Sequence, residues 1–163
     1  MKTAMLTGSF DPVTNGHMDI LNRAGKIFDK IYAAVLTNPD KICMFSTGDR
    51  LEFLRAALSG KNYAEAVFSD GTAVGLAKKL GADCIIRGIR NSEDYEYERV
   101  MAVYNLRNGG IDTLFFEAGE KDAGVSSGMV KRLLQQGKSI EKYVPETVCE
   151  MISERYKTIR DMK

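Results

Sequence analysis

The sequence predicts a doubly wound α/β fold in which helices cover both faces of a parallel sheet. Short apolar runs alternate with longer amphipathic segments along the chain, and this alternation is typical of repeated β-α units. Two of the runs, Ile31–Leu36 and Leu114–Phe116, are almost wholly apolar, as expected of parallel strands buried on both faces. With 163 residues, the chain is predicted to form a single Rossmann-like domain over residues 1–163.

Each predicted element rests on its own local pattern. The five strands are predicted at Ala4–Leu6, Ile31–Leu36, Ala66–Phe68, Cys84–Ile86 and Leu114–Phe116. Helical spacing of apolar side chains predicts the first two helices, from Ile20, Leu21, Ala24, Ile27 and Phe28 and from Leu51, Leu54, Ala57 and Leu58. The order β-α-β-α-β-α-β-α-β-α-α places any ligand beyond the carboxyl ends of the strands.

Residues at the predicted helix ends support these assignments. Ser46 and Asp49 form a capping-box pattern at the start of the second helix. Gly81 is expected to close the third helix, Thr72–Leu80. The fourth helix is predicted from about Asn91 to Leu106, the fifth from about Ser126, and Pro145 is expected as the first residue of the last.

Composition narrows the classes of function. The chain carries 23 Lys and Arg against 22 Asp and Glu, a net charge of +1, which argues against a broad nucleic-acid surface. Its three cysteines lack paired spacing, so neither disulfides nor zinc are expected. No apolar run approaches a signal-peptide core or a membrane span. We therefore expect a cytoplasmic protein that binds neither nucleic acid nor membrane.

The segment after the first strand has the properties of an anion site. It reads Thr7 to His17, TGSFDPVTNGH, and places the only histidine at a predicted helix start. Free amides and the helix dipole attract phosphates there, and the ring can donate a hydrogen bond. The dipole opposes protonation of the ring. A histidine that only caps or packs is the alternative.

Basic residues follow two further strands. Lys41 lies in the loop after the second strand, and Arg87 and Arg90 follow the fourth around Gly88. Arginines at that edge can grip phosphates by paired hydrogen bonds, whereas solvated loop and turn side chains are the alternative. After the last strand, Ser126 and Ser127 open a helix, where they either cradle a phosphate or cap the helix.

These runs together resemble the nucleotidylyltransferase superfamily, and within it the phosphopantetheine adenylyltransferases. GSFDPVTNGH is similar to the family's TxGH signature, NPDK to its second loop, IIRGIR to its fourth strand and VSSGMVK to its ISSTxxR/K run. The sequence departs from the family pattern at Leu6-Thr7, Gly71 and Gly128. The matches span nearly the whole chain, in order and at strand ends.

The resemblance implies roles for individual residues. His17 would contact ATP phosphates and stabilise the transition state, with Lys41 and Arg90 as the other catalytic residues. Ser9, Lys41, Thr72 and Arg87 would bind the acceptor, with Thr72 beside the pantetheine arm. The implied ATP-binding residues are Ser9, Phe10, His17, Gly88, Ile89, Arg90, Glu98, Asp122, Ala123, Gly124, Val125, Ser126, Ser127 and Gly128.

The implied reaction moves AMP from ATP to 4′-phosphopantetheine by direct in-line attack, giving dephospho-coenzyme A and pyrophosphate. No carboxylate cage for a metal is visible, so Mg²⁺ is expected to arrive with ATP. The resemblance further implies a homo-oligomer, typically a hexamer, and coenzyme A as a candidate feedback ligand.

Three alternatives stay open from the sequence. Nicotinamide-mononucleotide adenylyltransferases and glycerol-phosphate cytidylyltransferases share the TxGH-like and serine signatures, although the runs around Lys41 and Arg87 favour the pantetheine acceptor. A silent nucleotide-binding regulator could use the same fold. The third alternative is an assembly protein whose arginines lie at an interface. The sequence shows neither a helix with a large exposed apolar face nor a heptad repeat to support it.

Overall fold

The computed structural model describes residues 1–37, 41–119, 121 and 124–162. Its strands are β1 (Thr3–Gly8), β2 (Lys30–Leu36), β3 (Ala64–Ser69), β4 (Cys84–Ile89) and β5 (Asp112–Glu117). Its helices are α1 (Asn15–Ala24), α2 (Thr47–Ala57), α3 (Ala73–Leu80), α4 (Ser92–Gly109), α5 (Ser127–Gln135) and α6 (Glu146–Asp161). The strands pair in parallel in the order β3-β2-β1-β4-β5, which confirms the predicted doubly wound α/β fold.

Alternate residues of the central strands point into two separate cores. Ala4 and Leu6 of β1 pack in the larger core with apolar residues of α1, α2, α5 and α6. Met5 lies on the opposite face, in a smaller core that contains Leu76 and Ala77 of α3. Helices therefore cover both faces of the sheet, as the apolar character of the central strands requires.

The sheet order places a topological switch point between β1 and β4. From β1 the chain adds β2 and β3 on one side, and it then returns to add β4 and β5 on the other. Connections on the two sides leave β1 and β4 in opposite directions, so a crevice opens beyond the carboxyl ends of these two strands. The segments that begin at Gly8 and Arg90 flank this crevice.

Local side-chain chemistry explains several element ends. The Ser46 hydroxyl accepts a hydrogen bond from the Asp49 amide at 3.1 Å, and the Asp49 carboxylate accepts one from the Ser46 amide at 3.2 Å, which confirms the predicted capping box. Gly81 adopts the left-handed conformation, with φ at 65°, as a C-cap. Pro145 is the N-cap of α6 rather than its first helical residue.

Some predicted boundaries and exposures were wrong. Helix α1 ends at Ala24, so Ile27 lies beyond it and is 56% exposed; Gly25, a poor helix former, follows Ala24. Strand β4 runs on to Ile89 because Arg87 and Gly88 pair with β5, so Arg87 lies within the strand and not past its end. Strand β5 is a sheet edge whose Leu114 is exposed.

Helix α4 turns an apolar stripe outward and a polar one inward. Tyr97, Val100, Met101 and Tyr104 follow one another at helical spacing and are all exposed, and we call them the α4 outer stripe. Glu98, on the inner side, is buried. We expected no helix with a large exposed apolar face, and this expectation was wrong. Apolar spacing alone does not show which side of a helix packs against the core. No described helix is long and apolar enough to cross a membrane.

Candidate active site

A cleft of about 330 Å³ opens at the switch point. It lies beyond β1 and β4 and is bounded by the starts of α1 and α5. The structure brings most of the predicted site residues to this one cavity: Ser9, His17, Lys41, Arg87, Gly88, Ile89, Arg90, Glu98, Val125, Ser126, Ser127 and Gly128. Residues from four separate segments thus converge on a single polar site.

The position and tautomer of His17 follow from the first turn of α1. Its Nδ1 lies 3.0 Å from the Thr14 amide, which can only donate, so Nδ1 accepts. A neutral ring then carries its proton on Nε2. The phenyl ring of Phe10 packs against the imidazole, and the centroids of the two rings are 4.8 Å apart. His17 is therefore held as a hydrogen-bond donor at the wall of the cleft.

The ionisation of His17 is set by its surroundings. Burial, with the charges of Arg87 and Arg90, lowers its pKa from 6.5 to about 4. Burial lowers the pKa because the charged ring loses hydration, and the two guanidinium groups repel a further positive charge. The ring is neutral at pH 7 because of burial and the two arginines, whereas the sequence points to the helix dipole as the opposing factor.

Arg87 and Glu98 form a forked ion pair at the floor of the cleft. Arg87 donates from Nε at 2.7 Å and from Nη2 at 2.5 Å to the two carboxylate oxygens of Glu98. Its Nη1 donates to the carbonyl and hydroxyl oxygens of Thr7. Four of the five guanidinium N–H groups are thus engaged within the protein. Glu98, predicted to hold the nucleotide, lines the cleft and holds Arg87.

A second arginine, Arg90, is fixed by an acid one helical turn away. Asp94 accepts from Arg90 Nε at 2.7 Å, from Nη2 at 3.1 Å and from the Arg90 amide at 3.1 Å. These hydrogen bonds lower the pKa of the Asp94 carboxyl and keep the pair charged. Arg90 is therefore held at the cleft by three hydrogen bonds to one carboxylate.

The serines at the start of α5 are engaged by the protein. Ser126 accepts from the Met129 amide at 3.1 Å and is the N-cap of α5. Ser127 donates its hydroxyl to the carbonyl of Pro12 at 2.7 Å. The capping interpretation of Ser126 is confirmed. Ser126, Ser127 and Gly128 also line the cleft, so free amides at the start of α5 are available there to an anion.

A few predicted site residues lie elsewhere. Thr72 caps α3 by accepting from the Gly75 amide at 3.1 Å, and it does not line the cleft. The Phe10 side chain is only 1% exposed and supports His17 from behind. Gly124 lies outside the cleft wall, and Asp122 and Ala123 fall outside the described residues.

Sequence reasoning gave no role to several residues that shape the cleft. Asp94 lines it, and its spacing of four residues from Arg90 was a readable sign of an ion pair. Thr14 and Ile20 also line it. Thr14 precedes the helix and carries the signal of an N-cap, whereas no local signal marks Ile20 as both a core and a cleft residue.

Close packing beneath the cleft makes Gly88 sensitive to substitution. A β-carbon at Gly88 would lie 2.4 Å from Cδ1 of Ile20. We expect Gly88→Ala to push Ile20 into the cleft and cost about 1 kcal/mol of stability, measured by chemical denaturation. Gly48→Ala is the control, because its β-carbon meets only Ser46 Oγ, at 3.8 Å. A Gly88→Ala variant as stable as the wild type would contradict this expectation.

The site combines neutral and cationic hydrogen-bond donors. His17, Lys41, Arg90 and the amides of α5 surround one cavity, and such preorganised donors stabilise charge that develops on transferring phosphates. With the switch-point topology, this arrangement defines an α/β enzyme of nucleotidyl transfer.

Comparisons with known proteins agree with this class. Residues 5–133 match the cytidylyltransferase-like family. A phosphopantetheine adenylyltransferase from Caldanaerobacter subterraneus is 40% identical over 96% of this chain and 99% of its own length. One from Streptococcus uberis is 41% identical over 93% of this chain and 92% of its own. A solved structure from Vibrio parahaemolyticus, assigned as a nicotinate-nucleotide adenylyltransferase, shares the fold at a TM-score of 0.73 and 17% identity, covering 96% of this chain and 94% of its own.

The chain therefore belongs to the phosphopantetheine adenylyltransferase family, within the cytidylyltransferase-like proteins. The predicted family is confirmed, and the chain is a nucleotidyltransferase. The solved structure supports the fold alone, because its identity to this chain is only 17%.

Proposed function

We propose that this enzyme transfers AMP from ATP to 4′-phosphopantetheine and releases pyrophosphate, giving dephospho-coenzyme A for coenzyme A biosynthesis. The observation that carries the proposal is the convergence of His17, Lys41, Arg87, Arg90 and the start of α5 on one cleft. Relatives named for this activity, 40 and 41% identical over nearly the whole chain, support the choice of acceptor.

The proposed step is a direct displacement at the α-phosphorus of ATP. An oxygen of the acceptor phosphate forms the new bond to the α-phosphorus. The bond from the α-phosphorus to the oxygen that bridges the α- and β-phosphates breaks. Pyrophosphate leaves with the electron pair. The acceptor oxygen is already anionic, so the protein supplies no nucleophile, and its task is alignment and charge stabilisation.

Each part of the cleft has a proposed role in that step. Lys41 and the remaining N–H of Arg87 bind the acceptor phosphate. His17 donates from Nε2 to the α-phosphate, where charge builds in the transition state. Arg90 and the amides at the start of α5 hold the β- and γ-phosphates. Gly88 and Ile89 lie beside the nucleotide.

Mg²⁺ is proposed to enter with ATP. The part of the chain that the structure describes contains no cluster of three or more His, Cys, Asp or Glu side chains that could hold a metal. Glu98 and Asp94 line the cleft but pair with Arg87 and Arg90. A hard cation that keeps phosphate and water ligands suits such a site, and it would offset phosphate charge there.

A homo-oligomer is also proposed, and the α4 outer stripe supports it. Exposed apolar side chains at helical spacing mark surfaces that bind other proteins, and Tyr97 and Val100 are 61% and 64% exposed. We expect analytical ultracentrifugation to give a mass several times the 18.1 kDa of the chain, and Val100→Glu to reduce that mass. A wild-type protein that sediments as a monomer would contradict this proposal.

A cytoplasmic location and feedback by coenzyme A stay predictions. Fractionation of cells with an antibody against the chain tests the first. Inhibition of turnover by added coenzyme A, reversed by more acceptor, tests the second. The hexameric state is tested by the same sedimentation measurement as the oligomer.

The decisive assay measures pyrophosphate release from ATP and Mg²⁺ with and without 4′-phosphopantetheine, with dephospho-coenzyme A identified by mass. Release of both products only with the acceptor is expected. Release with nicotinamide mononucleotide or glycerol phosphate instead would keep the class of enzyme and overturn the acceptor. ATP binding without release for any acceptor would favour the silent regulator. Chelation of Mg²⁺ should abolish turnover.

A further inference from the structure

One buried carboxylate joins three segments around the cleft. Asp11, in the loop between β1 and α1, is 2% exposed. It accepts from the Met44 amide at 3.0 Å, from the Phe45 amide at 2.9 Å and from Lys131 Nζ at 2.8 Å. Met44 and Phe45 precede α2, and Lys131 belongs to α5. A single side chain therefore spans three parts of the fold that are distant in sequence.

Each joined segment carries a different part of the site. The loop that contains Asp11 also carries Ser9 and leads to His17. Met44 follows Lys41 by three residues, so the bonds to Asp11 anchor the chain next to the acceptor-binding lysine. Lys131 lies one turn beyond the amides at the start of α5. The acceptor side and the nucleotide side of the cleft thus share one anchor.

The same loop is held at two further points. Arg50 donates from Nη1 to the carbonyl of Ser9 at 2.7 Å, and Ser127 donates to the carbonyl of Pro12 at 2.7 Å. These contacts fix the backbone on either side of Asp11. Asp11 and Lys131 do not line the cleft, so in this geometry their influence on a substrate is indirect.

The carboxylate suits this position in a way that its amide cannot match. Two backbone N–H groups and an ammonium all donate to its oxygens. An asparagine has one accepting oxygen and a donating NH₂ group, so one side of it would face donors. The amide or ammonium group that faced this NH₂ would lose its hydrogen bond and be repelled by it, which is costly in a buried site.

We propose that Asp11 is a positioning residue that sets the distance between Lys41 and the start of α5, with Lys131 as its counter-ion rather than a ligand of ATP. The proposal rests on the reaction proposed above. In-line transfer needs both phosphates aligned, and a misplacement of about 1 Å can lower the rate about 100-fold. Loss of the hydrogen bonds to Asp11 would displace the segment that carries Lys41 and the start of α5 together.

The test compares Asp11→Asn and Lys131→Gln with Asp19→Asn. Asp19 also pairs with a basic side chain, Arg23 at 2.8 Å, but it lies outside the cleft. Asp11→Asn is expected to raise the KM for both substrates and lower kcat/KM about 100-fold. Lys131→Gln should also raise the acceptor KM, but less strongly than Asp11→Asn, because the two backbone amides still hold Asp11. Asp19→Asn should behave as the wild type.

Two further readouts separate positioning from stability alone. Amide hydrogen exchange at Met44 and Phe45 should quicken in Asp11→Asn, while exchange in β1 and β4 stays slow. The double variant Asp11→Asn/Lys131→Gln should be no worse in kcat/KM than Asp11→Asn, since both act through one contact. A lower melting temperature of Asp11→Asn with unchanged KM values would overturn the proposal. So would additive losses of kcat/KM in the double variant that affect ATP and not the acceptor.

The outcomes keep this proposal apart from the proposed reaction. If the wild type releases no pyrophosphate with any acceptor, the reaction is wrong, and exchange at Met44 and Phe45 still decides the link. Unchanged exchange there in Asp11→Asn overturns it. If Asp11→Asn does not fold, Lys131→Gln, whose side chain is 28% exposed, decides it: an acceptor KM equal to that of the wild type overturns the proposal.

Discussion

Replacing His17 with alanine should lower kcat about 100- to 1,000-fold while leaving ATP binding nearly unchanged, as expected on removal of one transition-state donor. The ring is preorganised, because Nδ1 is held by the Thr14 amide and Phe10 packs against it. Steady-state kinetics with separate measurement of ATP affinity checks this. Near-normal turnover in His17→Ala would show that the assigned role is wrong. His17→Gln, which keeps an N–H donor, should recover part of the rate.

The same expectation has a consequence for pH. His17 is the only histidine, so its ring signals in an NMR titration are unambiguous. With a pKa lowered from 6.5 to about 4, the ring should stay neutral from pH 8 down to about pH 5. Between pH 6.5 and about 4 the unfolded chain binds a proton that the folded chain does not, so the free energy of unfolding should fall as the pH is lowered through that window. A titration midpoint near 6.5 would contradict the lowered pKa of this partly buried, donating ring.

Much of the fold could be predicted because its determinants are local. Apolar runs located all five strands, and capping chemistry at Ser46 and Gly81 located helix ends, since both signals lie within a few residues of each other. Strand ends in a parallel sheet meet at one edge. The convergence of His17, Lys41 and Arg90 was therefore predictable once the strands were placed.

Pairings across the fold could not be predicted in the same way. Lys131 and Asp11 are 120 residues apart, and Arg87 and Thr7 are 80 apart, so only the strand order brings each pair together. The inward-facing Glu98 and the exposed Tyr97 reverse the usual polarity of a helix. Apolar residues recur along α4 in the sequence, but their spacing does not show whether they face the sheet or lie exposed.

Replacing Arg87, at the floor of the cleft, should lower both the stability of the protein and its activity, and the two effects can be separated. Arg87→Met removes the partner of Glu98, whose side chain is only 10% exposed, and leaves a carboxylate buried without its counter-charge. We expect a loss of about 3 kcal/mol in the free energy of unfolding, since breaking a buried pair from one side is costly. Activity with the acceptor should fall with it. Arg99→Met is the control, because the pair of Arg99 with Glu96 is exposed and spans 3.3 Å.

A double variant then distinguishes the two roles of Arg87. Arg87→Met/Glu98→Leu removes both charges, and replacing a buried ion pair by apolar side chains is often close to neutral for stability. Chemical denaturation should therefore show stability regained, whereas the KM for the acceptor should stay high because the guanidinium that binds its phosphate is still missing. Recovery of both quantities together would mean that Arg87 acts only as a structural clamp between Thr7 and Glu98. In that case the acceptor phosphate would be bound by Lys41 without Arg87.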